Sequence, residues 1–386
     1  MSAVFEQSTL WQRVRPMFGG FDPTLGLVAL LLAGAGLITM YSAGYDHGTR
    51  FSDHARNMVI ALVIMFVVAQ IPPQKLMGLA VPLYVLGVVL LLLILVPGLG
   101  VTKKGATRWL YVGIVIQPSE ILKIAMPRML AWWFQKREGR LHAPDFAIAA
   151  LLLLLPVGLV VKQPDLGTAI LILSAGLYVI FFAGLSWKLI IPVLVLGAAA
   201  VIAVVVSQDR LCDPDFNWPM LRDYQKHRIC TLLDPTTDPL GKGFHIIQGM
   251  IAIGSGGVTG KGFMNGTQTH LEFIPERTTD FVFAAFGEEF GLLGAVGLLI
   301  GFTLLILRGL MIAGEAPTAF ARLLAGAITL SFFTYAFVNM GMVSGVLPVV
   351  GIPLPFISYG GTAMVTLGLG LGLLMSIARS QTLMQS

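Results

Sequence analysis

The sequence predicts an all-α integral membrane protein, a bundle of ten transmembrane helices with one long outer loop between the seventh and the eighth. Three observations predict it. Of 386 residues, 56% are hydrophobic and 12% charged, and the mean hydropathy is +0.83, whereas a soluble domain is about half apolar and a quarter charged. The apolar residues fall into successive runs with short connections, so a single polytopic domain covers 1–386. The net charge of +5 is small and scattered, which suits loops of a membrane protein and excludes a nucleic-acid surface.

Residues 1–22 are polar and carry Arg13 and Arg15. The run that follows, about 23–45, is long enough to span the membrane rather than to be a cleaved signal. Nine more runs lie near 57–71, 77–97, 119–135, 146–161, 167–183, 188–206, 281–307, 317–343 and 358–378. An even number puts both termini on one side. A cytoplasmic amino terminus gathers Arg13, Arg15, Lys75, Lys136, Arg137, Arg140, Lys188, Arg308, Arg322 and Arg379 inside, and leaves Arg50, Arg56, Lys103, Lys104, Arg108 and Lys162 in short outer loops. That bias places 379–386 in the cytoplasm as well.

The outer segment 98–118 is short and basic, and 208–279 is the longest non-apolar stretch. A structureless loop of that length is unusual, so 208–279 is expected to be functional or to carry its own helices. Within it, 244–253 (FHIIQGMIAI) reads as an amphipathic helix on the membrane surface. A cluster of glycines from Gly254 to Gly266 follows; without a preceding strand or a GxxxxGK[ST] pattern it points to close backbone approach rather than to a nucleotide. Cys212 and Cys230 share this loop and can pair in an oxidising compartment or stay as free thiols.

Ionisable residues at membrane depth are costly, and each is a functional candidate. The strongest run is 271–289, LEFIPERTTDFVFAAFGEE, which delivers Asp280 to the start of an apolar helix. Thr278 or Thr279 can cap that helix, and an acid in its first turn suits the helix dipole, so a plain helix-start role competes with a catalytic one. At about 100° per residue, Glu288 and Glu289 lie about 80° and about 180° round from Asp280, and pairing with a cation is their structural alternative. A second cluster is Arg108-Trp109 with Glu120 and Lys123, three apart on one helix face and able to pair there. In a third, Asp165 sits in the tight turn KQPDLG, where capping that turn is the simpler role. A fourth, from Asn339 through Ser358, Tyr359, Gly360 and Gly361 around a Pro-rich turn, is compatible with tight packing or with a groove that accepts an extended chain, and packing is the default. No metal-spaced pattern, GxSxG elbow or dinucleotide fingerprint is present.

Together GATRWL with QPSEILK, KQPDLG, GSGGVTGKGF…GTQTHLEFIPERTTDFVFAAFGEEFG and NMGMVSGVLPVVGIPLPFISYGG resemble the SEDS family of bacterial cell-wall polymerases, from the first helix to the last. Within it the GTQ…LEFIPERTTDF stretch is similar to the rod-shape, elongation branch more than to the division branch. One departure is Thr278, where the family commonly has His. The resemblance implies a ten-helix bundle in the inner membrane and a peptidoglycan glycosyltransferase that polymerises lipid II on the periplasmic face. It also implies partners: a class B penicillin-binding protein that crosslinks the product, and other elongation-complex membrane proteins. It carries the family's essential acid onto Asp280 and its cavity residues onto Arg108, Glu120, Lys123 and Asp165.

The chemistry agrees with that implication. An α-linked donor giving a β-1,4 product requires one inversion, and pyrophosphate is a good leaving group. One base therefore suffices, where a glycosidase needs two carboxyls. An ordinary aspartate, with a pKa of about 4, can take the proton of the attacking hydroxyl. Arg108, Lys123 and Lys261 are candidates for the diphosphate, and Glu276 and Arg277, beside Asp280, join them as expected substrate-binding residues. A divalent cation at the diphosphate is a further possibility without a visible ligand set. A lipid II flippase and a non-catalytic scaffold for the crosslinking enzyme are the competing functions.

Overall fold

The computed structural model describes residues 21–385 apart from 97, 104–105, 112, 114, 214–215, 217–222, 239–240 and 275. The expected cytoplasmic amino terminus, with Arg13 and Arg15, lies outside the described residues. The chain is mostly helical. Its principal elements are α1 (Pro23–Ala43), α2 (Arg50–Ala69), α3 (Ala80–Ile94), β1 (Gly100–Lys103), β2 (Ala106–Tyr111), β3 (Val115–Ile116), α4 (Pro118–Gln135), α5 (Ala143–Lys162) and α6 (Leu166–Phe182). They continue with α7 (Trp187–Val206), α8 (Asp223–Leu233), α9 (Lys242–Gly256), α10 (Val282–Gly314), α11 (Ala319–Val343) and α12 (Gly361–Gln385). Among the described residues, seven of these are long and apolar enough to cross a membrane: α1, α2, α5, α7, α10, α11 and α12. Helices α3 and α6 are apolar but shorter, and α4 carries Glu120, Lys123 and Arg128 along its length.

Helix α4 forms the middle of the bundle, packed against α3, α6, α11 and α12, while α12 lies along α2 and α10 lies between α1 and α11. Leu122, Met126 and Leu130, one turn apart on α4, are completely buried, the spacing of a helix face that meets neighbours rather than lipid. The first helix is tied to the far end of α10: Asp22 caps α1 by accepting from the Leu25 amide at 2.8 Å and also accepts from Arg308 Nε at 2.9 Å. Helix α7 contrasts with all of these. Its best window has a hydropathy of 3.1 and buries none of its residues, so the described residues leave its apolar surface uncovered, as suits a helix facing lipid.

The segment 98–118 departs from the all-α expectation. It folds into a three-stranded antiparallel sheet in the order β1-β2-β3, with Val101 opposite Trp109 and Leu110 opposite Ile116. Thr107, Trp109 and Tyr111 alternate with Arg108 and Leu110, and β-branched and aromatic residues favour a pleated surface. Leu110 is buried on the inner side.

The long segment between α7 and α10 carries its own helices, α8 and α9 among them. Cys212 and Cys230 are disulfide-bonded, with Cα atoms 5.6 Å apart, which decides the choice that the sequence leaves open. The amphipathic stretch is helical within α9, where Ile246 and Ala252 are buried against α10. The glycines after it serve a break in α10 at Gly291, whose φ is 61°. A broken helix at membrane depth frees backbone groups that need partners, and the loop supplies them. The Lys261 and Gly262 amides donate to the Glu288 and Glu289 carbonyls at 3.0 Å, and the Leu292 and Leu293 amides donate to Gly257 and Val258 at 2.9 and 3.0 Å. A side chain at Gly260, where φ is +79°, would run into the Glu289 carbonyl.

Candidate active site

Residues 276–281 form a tight turn before α10. The Thr279 and Phe281 amides both donate to the Glu276 carbonyl, at 2.9 and 3.2 Å, and Glu276 itself has φ 55°, an uncommon conformation for a side-chain-bearing residue. Helix α10 therefore starts at Val282 with no side-chain cap. Asp280 stands just outside the helix rather than in its first turn, and neither Thr278 nor Thr279 caps it. The reason lies in three successive carbonyls that point away from the helix axis. Thr278 O accepts from the Tyr359 amide at 2.8 Å, Thr279 O from Ser358 Oγ at 2.7 Å, and Asp280 O from Asn339 Nδ2 at 2.9 Å. Asn339 is fully buried and donates also to Ile352 O at 2.7 Å. The motif that reads in sequence as packing thus holds the Asp280 backbone from two sides. At 278 the contact uses the backbone carbonyl, which Thr supplies as well as His.

Asp280 opens into a cavity of about 390 Å³ lined also by Arg108, Asp165, Glu276, His245, Phe281, Leu166, Val349, Val350 and Gly351. Gly351 has φ +75°, and a Cβ there would stand 3.3 Å from Asp280 Oδ2, so a glycine leaves the carboxylate its room. Asp165 caps α6 by accepting from the Thr168 amide at 3.2 Å, and its other oxygen accepts from Gln117 Nε2 at 3.1 Å. Arg108 NH1, delivered by β2, is 3.5 Å from that second oxygen, and the buried Nε of Arg108 has no hydrogen-bond partner. The Arg108 side chain is about one-third exposed and lines the cavity beside Asp165. Asp165 thus caps the turn and also lines the cavity.

Four expected site residues do not line this cavity. Lys123 donates to Glu120 at 2.7 Å, Thr366 Oγ1 donates to the other Glu120 oxygen at 3.0 Å, and Lys123 lies 5.7 Å from the Tyr335 ring centre. This pair sits inside the bundle, and Lys123 borders a separate void of about 30 Å³. Lys261 is directed elsewhere: it donates to Glu288 at 2.7 Å. Glu288 also accepts from Thr267 Oγ1 at 3.2 Å, the Gln268 amide at 2.8 Å, the Thr269 amide at 3.0 Å and Thr269 Oγ1 at 2.8 Å. A carboxylate so surrounded secures the outer loop to α10, and its neighbour Glu289 accepts from Ser42 of α1.

Arg277 is buried, donating through Nε to Ala43 O at 3.0 Å with NH2 2.5 Å from Asp46. Desolvation tends to raise the Asp46 carboxyl, but hydrogen bonds from Arg277 and His47 outweigh it and hold the carboxyl well below its usual range. Arg277 lines a second, larger cavity of about 1000 Å³, which shares Glu276 with the first. His245 is a cavity-lining residue that a reading of the sequence passes over, whereas Asn339, Gly351 and Ser358 belong to the motif read there as packing by default. Among the described residues no three His, Cys, Asp or Glu side chains form a metal-ligand set. A divalent cation at a diphosphate would be held mainly by phosphate oxygens, as magnesium often is.

Comparison with known proteins bears on this geometry. The sequence pattern of the cell cycle protein family named for FtsW, RodA and SpoVE matches residues 23–383. The peptidoglycan glycosyltransferase MrdB of Escherichia coli K12 is 46% identical over 96% of this chain and 95% of its own length. A probable peptidoglycan glycosyltransferase FtsW of Geobacter metallireducens is 33% identical over 93% of this chain and 94% of its own. Among solved structures, a chain of a peptidoglycan synthase complex described for its coordination of polymerization and crosslinking aligns with a TM-score of 0.76. It shares 33% identity and the match covers 94% of this chain and 98% of that one. The rod shape determining protein RodA of Thermus thermophilus aligns with a TM-score of 0.67 at 28% identity, over 94% and 97% of the two chains.

Proposed function

The chain belongs to the FtsW, RodA and SpoVE family of cell cycle proteins, and on that premise we propose that it is a peptidoglycan glycosyltransferase that polymerises lipid II, with Asp280 as its base. The observation that carries the reading is an aspartate whose turn is fixed by Ser358 at the Thr279 carbonyl and by Asn339 at its own carbonyl, and which lines a cavity together with Arg108 and Asp165.

In this mechanism the 4-hydroxyl of the acceptor sugar attacks the anomeric carbon of the donor. The new C1–O4 bond forms as the C1–O bond to diphosphate breaks, the hydroxyl proton passes to Asp280, and the configuration inverts. Arg108, which lines the same cavity, stabilises the charge that develops on the departing diphosphate. Asp165 and Gln117 orient that guanidinium. Glu120, Lys123 and Lys261 act at a distance, keeping the bundle and the outer loop in register.

A polyprenyl tail stays in lipid while its sugars react in water, which favours a site at the outer membrane interface. The cavity is bordered by Leu166, Val349 and Val350 and by His245 of the amphipathic α9, a suitable entrance from the bilayer. In this reading the seven long apolar helices together with α3, α4 and α6 give ten spans. Both termini are then cytoplasmic and 208–279 is periplasmic, an oxidising side that suits the Cys212–Cys230 bond. A class B penicillin-binding protein crosslinks the product in the same elongation complex; the solved synthase complex with the same fold supports that pairing.

The test is polymerisation of fluorescent lipid II by the purified chain in detergent, where transport between compartments has no meaning. Long glycan products that disappear on digestion by a muramidase are expected. Intact lipid II after prolonged incubation, together with lipid II movement in liposomes, would make the chain a flippase instead.

A further inference from the structure

Joined to the Asp280 cavity at Glu276 is a larger chamber that the mechanism above does not use. We propose that this chamber of about 1000 Å³ is the channel that receives the already polymerised sugars of the glycan strand, an inference that rests on the polymerase reading.

The two cavities differ in their walls. The smaller one has Leu166, Phe281, Val349 and Val350 along it, an apolar flank for a unit still attached to its lipid. Among the described residues, the larger has Ile274 as its sole aliphatic lining residue. Its remaining surface mixes two aromatic rings, Trp109 and Tyr359, with hydroxyls, including Thr362, and with charges of both signs, including Arg50 and Glu272. Aromatic faces beside hydroxyls and carboxylates are what a hydrated sugar chain meets: its C–H faces stack and its hydroxyls donate and accept. The guanidinium of Arg50 lies over the Tyr359 ring, 4.4 Å from its centre, which holds that ring as a platform. Arg277, the other strong cation, is neutralised by Asp46 at 2.5 Å, so the chamber does not concentrate positive charge as a diphosphate site would.

Topology gives the same assignment. Chain growth leaves one sugar at the reacting carbon and every earlier sugar trailing from it, whichever end grows. The trailing part needs a wide, watery path contiguous with the base. The chamber touches the catalytic turn at Glu276, Thr278 and Thr279, directly beside Asp280 in sequence, and is built from outer-loop residues near the ends of α1, α2, β2 and α12 rather than from lipid-facing helix sides.

The two cysteines of the chain are paired with one another, so a Thr362→Cys variant carries one free thiol, on an exposed lining residue. A bulky maleimide on that thiol narrows the chamber without touching the Asp280 cavity. The experiment measures glycan length from lipid II for the same full-length variant before and after labelling. We expect labelling to shorten the mean strand several-fold, with short oligomers accumulating while lipid II is still consumed. Equal strand lengths before and after labelling would overturn the channel assignment and leave the polymerase reading standing. A loss of the first coupling in proportion to the loss of long strands would overturn it too, by making the chamber part of substrate capture. Failure of the polymerase reading itself has a different signature: no product from the unlabelled variant or from the native chain.

Discussion

Asp280 and Glu288 belong to one short stretch of sequence and receive opposite treatment from the fold. Glu288 is completely buried and accepts from a lysine, two hydroxyls and two backbone amides. At Asp280 the backbone carbonyl is held by Asn339, and the residue lines a cavity with a glycine beside its carboxylate. Glu288 is closed inside a joint between loop and helix, whereas Asp280 stands at a cavity wall. The difference teaches that neighbouring acids of one stretch of sequence are given different places by the fold.

The comparison breaks most readily at Glu288. Replacing it by alanine leaves Lys261 and the loop amides without their acceptor, and breaking a buried pair costs about 3–5 kcal/mol. A large drop in the detergent melting temperature and in the yield of folded protein is expected. Unchanged melting would show that the loop is held by its backbone bonds to α10 alone. Asn339→Ala comes next. It releases the Asp280 carbonyl, and a misplacement of about 1 Å costs about 10²-fold in rate, so kcat for polymerisation falls by about that factor with KM little altered. A near-native kcat for Asn339→Ala would argue against positioning; Asn339→Asp, which also removes the donor and adds a charge beside two carbonyls, should lose at least as much.

The smallest expected effect is at Asp46, whose carboxyl is held below its ordinary value of 3.8. A depressed folded-state pKa stabilises the protein above the unfolded value, and the gain is lost as pH falls toward the folded value. Asp46→Asn should therefore lower the melting temperature modestly at neutral pH, with the gap to the native chain closing progressively below pH 3.8. A gap that is constant with pH would mean that the Arg277 contact matters through packing alone.

Much of the fold is legible in the sequence because lipid as a solvent leaves little choice: long apolar runs become helices, and short polar links become turns. The glycines after α9 also read correctly as sites of close approach. The β-sheet at 100–116 is signalled by the alternation of Thr107, Trp109 and Tyr111, but over a stretch too short to outweigh a loop assignment. The break at Gly291 is illegible, since apolar residues continue on both sides of it and its cause is a loop folded back from 257–262. Lys261 looks like a diphosphate ligand until Glu288, 27 positions away, is seen to take it. Asn339 looks like packing because its partner carbonyl at Asp280 is 59 positions distant. Pairings across such separations are fixed by tertiary structure, and local pattern carries no trace of them.

The central claim is that Asp280 performs the proton transfer and does little for stability. The direct measurement compares Asp280→Asn with the native chain for initial rate of lipid II polymerisation and for melting temperature in the same detergent. Loss of a positioned base predicts a rate lower by about 10²–10⁴-fold with melting within a degree or two of native. A variant that polymerises within a few-fold of the native rate, or that loses activity only because it no longer folds, would contradict the assignment.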